Sequence, residues 1–146
     1  MTVGAGYSGT PLVRKLGIKA GAEVALLDAP AGFEQVLAPL PEGVRLRCTA
    51  RGRLDVIVLF ATELSALRRR FGAAEAALDT DGGLWIAWPK RASRLPTDLD
   101  LRRIQGVAFE WGLVDNKSCA IDEVWSGLRF VVRLVDRPAR RAARAT

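Results

Sequence analysis

The chain has 146 residues, 49% of them hydrophobic, which suits one domain around a single core. No run of about 18 apolar residues occurs, so no membrane-spanning helix and no membrane partner is expected. Histidine is absent, so the commonest general base and metal ligand is missing and no metal site is expected.

The formal net charge of +6 is unevenly placed. Arg137, Arg140, Arg141 and Arg144 fall in the closing "RPARRAARAT", and without those four the 22 basic residues drop to 18 against 16 acidic ones. The body is nearly balanced, so nucleic acid is not an expected partner of it. Residues 137–146 read as a solvated, disordered tail, which could touch phosphates or anionic surfaces. Cys48 and Cys119 form no C-x-x-C pattern and read as ordinary thiols of a cytoplasmic protein. No basic-then-apolar signal peptide is visible. The strong preference for arginine over lysine looks like the coding bias of a high-GC bacterial genome.

In chain order, Thr10 reads as the cap of a short helix, "PLVRKLGI", with Pro11 at its first position. "EVALLD" (23–28) is a continuous apolar run, as in a strand buried on both faces. "GFEQVLAPL" reads as a short helix stopped by Pro39 and Pro41. "VRLRC" (44–48) and "LDVIVLF" (54–60) read as strands, and the link between them is either an extended crossover or a hairpin. Leu64, Leu67, Phe71, Ala74 and Leu78 make a helical stripe that leaves Arg68, Arg69 and Arg70 largely outside it. Asp81–Gly83 reads as a turn before the buried strand "LWIAW" (84–88). Thr97 with Asp100 resembles a capping box ahead of a helix carrying Leu101, Ile104, Ala108 and Trp111. Strands at 117–122 and 127–135 close the chain, joined by a loop holding Trp125, Ser126 and Gly127.

Buried runs separated by helices predict a three-layer, Rossmann-like α/β domain over residues 1–136. Its mixed sheet is mostly parallel, with a C-terminal antiparallel strand pair. "VGAGYSGTP" spells G-x-G-x-x-G with Gly4, Gly6 and Gly9, and Asp28 follows about 20 residues later. Only three residues precede Gly4, too few for the strand such a fingerprint must follow, so the motif is not read as a dinucleotide site.

Four segments, "GYSGTPLVRKLGI", "VALLDAPAGF", "DGGLWIAWPK" and "VDNKSCAIDEVWSGLRFV", resemble the bacterial domain-of-unknown-function family 3052 over about residues 6–135. The element order also resembles a reduced class I methyltransferase. That resemblance implies a first loop with an acid and several glycines, where this chain has Asp28-Ala29-Pro30-Ala31-Gly32. It also implies an acid ending the second strand, where Arg45, Arg47 and Cys48 stand.

In open α/β sheets ligands gather beyond the carboxyl ends of the strands. The candidate site residues there are Asp28 and Gly32, Lys90 and Arg91 as anion holders, and Trp125 and Ser126 as an aromatic wall and turn. Ala31, Gly32 and Phe33 would offer amides, and Tyr7 and Ser8 would fold over the edge. Eroded cofactor motifs point to a non-catalytic domain that binds a small molecule or a protein partner without a cofactor. The alternative is a diverged S-adenosylmethionine-dependent methyltransferase-like enzyme using Asp28, Lys90 or Tyr7. A second alternative is nucleic-acid association through the arginine tail.

Overall fold

The computed structural model describes residues 10–145. Helix α1 (Leu12–Lys15) leads into β1 (Glu23–Leu27), α2 (Phe33–Leu37), β2 (Arg45–Arg47) and β3 (Leu54–Phe60). Next come α3 (Leu64–Ala77), β4 (Leu78–Pro89), α4 (Leu101–Glu110), β5 (Leu113–Ala120), β6 (Trp125–Val132) and α5 (Arg137–Arg144). Six strands form one sheet in the order β2-β1-β3-β4-β6-β5. The first four are parallel, and β6 runs antiparallel to both its neighbours, β4 and β5.

The continuous apolar runs serve both faces of this sheet. Val24 and Leu26 of β1 join a core under α1 and α2, while Ala25 and Leu27 join the core under α3 and α4. Trp85 and Ala87 of β4 face the first core, and Leu84 and Ile86 the second. A fully buried side chain of this size contributes about 1.5–3 kcal/mol. In β6, Leu128, Phe130 and Val132 fill the second core while Arg129 stays half-exposed on the other face. The result is the expected three-layer, mostly parallel α/β sheet with an antiparallel pair at its end.

Residues 48–53 are an extended crossover, not a hairpin turn. β2 has three residues, pairs only with β1, and lies on the opposite side of β1 from β3. Ala50 of the crossover packs against the α3–α4 core.

Several local expectations are corrected. The residue capping α1 is Pro11, with no side-chain cap, so Thr10 does not play that part. Asp100 caps α4 by accepting the Arg103 N–H at 2.8 Å. Thr97 instead donates its hydroxyl to the Thr62 carbonyl at 2.6 Å. Asp81–Gly83 is no turn but part of β4, where the register jumps from Leu54↔Leu78 to Val56↔Gly83. Trp125 and Ser126 open β6, opposite Pro89 and Trp88, instead of lying in the loop. The reason is Asp122, whose Oδ1 accepts the N–H of Val124 and of Trp125, each at 2.8 Å. That tightens the turn before Trp125.

Residues 137–144 are not a disordered end; they form α5. Arg140 bonds the Glu75 carboxylate and the carbonyls of Glu75 and Leu78, where α3 hands over to β4. Arg144 reaches the Ala76 carbonyl, and Arg141 takes both oxygens of Asp81 at 2.9 Å. Arg137 donates to the Val132 carbonyl at 3.0 Å. The tail thus meets its counter-charges, Glu75 and Asp81, 56 to 65 residues upstream, and all four arginines bond within the chain.

Two glycines make opposite predictions. A Cβ on Gly82 would stand 2.7 Å from the Asp55 carbonyl oxygen, so Gly82→Ala is expected to cost about 1–3 kcal/mol. Gly106, exposed within α4, has nothing within 4 Å of a built Cβ, and Gly106→Ala should add about 0.5–1 kcal/mol. Urea denaturation of the two variants checks both signs.

Candidate functional site

The strand order reverses at β1, with β2 on one side and β3 on the other. The chain leaving β1 passes to α2 on one face, and the chain leaving β3 passes to α3 on the other. Such a divergence opens a crevice at the carboxyl ends of the strands. Here the crevice holds about 570 Å³ and is lined by Asp28, Gly32, Glu34, Leu46, Arg47 and Cys48, among others.

Asp28 follows β1 in the left-handed region (φ 56°), which aspartate tolerates better than most side chains. Both its carboxylate oxygens accept from Arg70 of α3, at 2.7 and 2.9 Å. With these side chains 41% and 58% exposed, the pair contributes at most about 1 kcal/mol to stability. Its local consequence is larger, because the carboxylate is already occupied. Gly32 precedes α2 with φ 79°, a conformation that favours glycine. Of the expected amides, that of Phe33 already donates to the Pro30 carbonyl at 3.1 Å, and Pro30 has none. Arg47 turns away to Glu23 at 2.7 Å. Glu34 is exposed, and its carboxylate has no ion-pair or hydrogen-bond partner among the described residues.

The other candidates lie apart. Arg91 borders a separate hollow of about 590 Å³ with Trp88, Thr97, Asp98, Asp100 and Arg103. The Lys90 N–H donates to the Val124 carbonyl at 2.7 Å, fastening the end of β4 to the β5–β6 turn. Trp125 stands edge-on to Phe60 with centroids 5.1 Å apart, and Phe60 stands edge-on to Phe33 at 4.8 Å. Trp125 therefore belongs to an aromatic row packed on the core. Ser126 pairs with Trp88 in the sheet. Tyr7 and Ser8, like Gly4, Gly6 and Gly9, lie outside the described residues. The structure thus brings together Asp28 and Gly32 and adds Glu34 and Arg70, which the sequence did not single out for the site.

The two thiols differ in environment. Cys48 is exposed at the crevice, and Cys119 is half-buried on β5. Burial pushes the Cys119 thiol up, against the opposing charges of Lys15 and Lys117. A raised pKa means less thiolate at neutral pH. A disulfide reagent at pH 7.5 should label Cys48 quickly and Cys119 slowly, and Cys48→Ser should remove the fast phase.

No protein-family model matches the chain, and no curated protein matches it by sequence. Solved structures do match. A ribosomal protein L11 methylase from Lactobacillus delbrueckii subsp. bulgaricus has a TM-score of 0.56 at 13% identity, over 84% of this chain and 75% of that one. The N-methyltransferase NodS from Bradyrhizobium japonicum WM9 has a TM-score of 0.57 at 16% identity, over 82% and 90%. A SAM-dependent methyltransferase from Aquifex aeolicus has a TM-score of 0.58 at 11% identity, over 83% and 88%. The fold is methyltransferase-like. Among the described residues no helix is long and apolar enough to cross a membrane.

Against that fold, the crevice departs at three points. Its acid is engaged by Arg70, its first loop has one glycine, and Cys48 follows the second strand in place of an acid.

Proposed function

We propose that the protein is a methyltransferase-like domain that binds an adenosine-type ligand, S-adenosylmethionine or its demethylated product, in the crevice beyond β1 and β2. The observation that carries this reading is the position of the crevice, at the carboxyl ends of the strands where the order reverses. The names of the similar structures supply the ligand class to try first.

The residues present fit that ligand in part. The Glu34 carboxylate would accept from ribose hydroxyls in place of the missing acid after β2, and Leu46 supplies an apolar wall. The main chain around Ala31 and Gly32 would approach the ligand closely, because glycine leaves the loop unobstructed. When bound, S-adenosylmethionine supplies an electrophilic methyl group. The part of this chain is to hold and orient it. Membership of family 3052 and a cytoplasmic location belong to the same proposal.

A second reading, a non-catalytic domain that binds a small molecule or protein partner, is favoured by one specific contact. Asp28, which follows β1 at the crevice, is spent on Arg70 and so is not free to act as a general base. Nucleic-acid association through the tail loses support, since its arginines are engaged within the chain.

Calorimetry with S-adenosylmethionine, S-adenosylhomocysteine and adenosine nucleotides tests the proposal. Saturable binding is expected, weakened about tenfold in Glu34→Ala, the effect of losing one charge-assisted hydrogen bond. No heat with any of these ligands would reject it. Binding without methyl transfer to any acceptor would favour the non-catalytic reading.

A further inference from the structure

At the opposite, amino-terminal edge of the parallel strands lies a cleft of about 480 Å³ between the end of α1 and the β4–β6–β5 part of the sheet. Lys15, Lys19, Lys117 and Arg129 line it, together with the carboxylates of Asp55, Asp79 and Asp81.

The carboxylates are already held. Arg53 bonds Asp55 at 2.9 Å and Asp79 at 3.0 Å, and Arg141 takes both oxygens of Asp81. Asp79 shows the effect. Burial acts to raise its pKa, but the Arg53 bond, the Asp81 N–H and the charge of Arg141 outweigh burial and hold it below the ordinary carboxylate value. These acids are therefore neutralised by arginines other than the one at the cleft.

Among the described residues Arg129 has no carboxylate partner. It lies half-buried against β4, where a Cβ on Gly83 would stand 2.3 Å from its Nε, so the strand is bare of side chain beneath the guanidinium. Lys117 sits directly opposite it in the sheet register. The bulge between Asp115 and Lys117 leaves Asn116 unpaired, and the Asn116 Oδ1 accepts from Arg129 at 3.4 Å, a marginal bond. Burial, then the nearby charge of Arg137, pulls the pKa of Arg129 down. A planar fork of donors held half out of water without a carboxylate is a receptor for an oxyanion.

We infer that this cleft binds a small phosphorylated molecule, its phosphoryl group gripped by the Arg129 fork and flanked by Lys117 and Lys19. A phosphoryl group suits the site because its two charges match several converging cations and its oxygens match the guanidinium geometry. Gly83 and the Asn116 bulge keep Arg129 flat and aimed into the cleft. The site lies at the edge of the sheet away from the β1–β2 crevice and does not depend on it.

Thermal melting and calorimetry in low-salt buffer, with inorganic pyrophosphate as probe, test the inference. Pyrophosphate should raise the melting temperature of the native protein beyond chloride at matched ionic strength. Arg129→Gln should weaken its binding about tenfold or more, and Lys117→Gln, an exposed position, should weaken it less. Glu34→Ala should leave it unchanged, which separates this site from the crevice. The inference is overturned if pyrophosphate does no more than chloride, or if Arg129→Gln binds it as the native protein does.

Discussion

Replacing Arg140 by alanine is expected to destabilise the protein by about 3 kcal/mol, lowering Tm by roughly 10 °C, although only six residues follow it in the sequence. The reason is burial on both sides of the ion pair. The Arg140 and Glu75 side chains are only 13% and 15% exposed. Removing the arginine leaves the Glu75 carboxylate uncompensated in a poorly solvated place, which costs far more than the pair itself stabilises. It also removes the donor from two carbonyls at the α3–β4 junction. The Nε of Arg140 is already buried without a partner, so the substitution recovers a little of that penalty. Arg141→Ala is the control. Its pair with Asp81 is 57% and 60% exposed and contributes no more than about 1 kcal/mol. Differential scanning fluorimetry of the two variants decides the matter. Equal, small shifts would mean that α5 does not dock.

The second large effect lies at Trp85. It is fully buried on β4, and its Nε1–H donates to the Leu16 carbonyl at 3.0 Å, just past the end of α1. A four-residue helix has no stability of its own, so α1 stays on the sheet through contacts such as this one. Trp85→Ala removes the largest fully buried side chain and strands that carbonyl, for an expected cost of about 4–5 kcal/mol. Trp85→Phe keeps much of the packing but still loses the donor, and should cost about 2 kcal/mol. Chemical denaturation followed by circular dichroism separates the two. A Trp85→Phe protein as stable as the native one would show that the hydrogen bond does not matter.

Residues that act locally were legible in the sequence. β1, β3 and β4 announce themselves because a strand covered on both faces must be apolar throughout. The antiparallel end announces itself because Leu128, Phe130 and Val132 alternate with Arg129 and Val131. That the loop after β1 borders a crevice was legible too, since strand-to-helix connections at a parallel edge are where crevices form. Long-range partners were not legible. Nothing near Arg140 reveals that Glu75 waits 65 residues upstream, so the tail read as solvated. Nothing near Asp28 reveals that Arg70, 42 residues on, will occupy it. Arg91 and Asp28 fall at the same edge by topology, yet they line separate hollows, because the loop from Pro89 to Asp100 carries Arg91 away among its own residues. The start of β6 was misplaced by the Asp122 turn, which a single side chain decides.

The proposed adenosine-type ligand has one place to sit, the crevice beyond β1 and β2. The most direct measurement is a backbone amide NMR titration with S-adenosylhomocysteine. Saturating shifts clustered at residues 28–34 and 46–48 are predicted, with those around Lys117 and Arg129 unmoved. Shifts confined to other surfaces, or none at millimolar ligand, would contradict it.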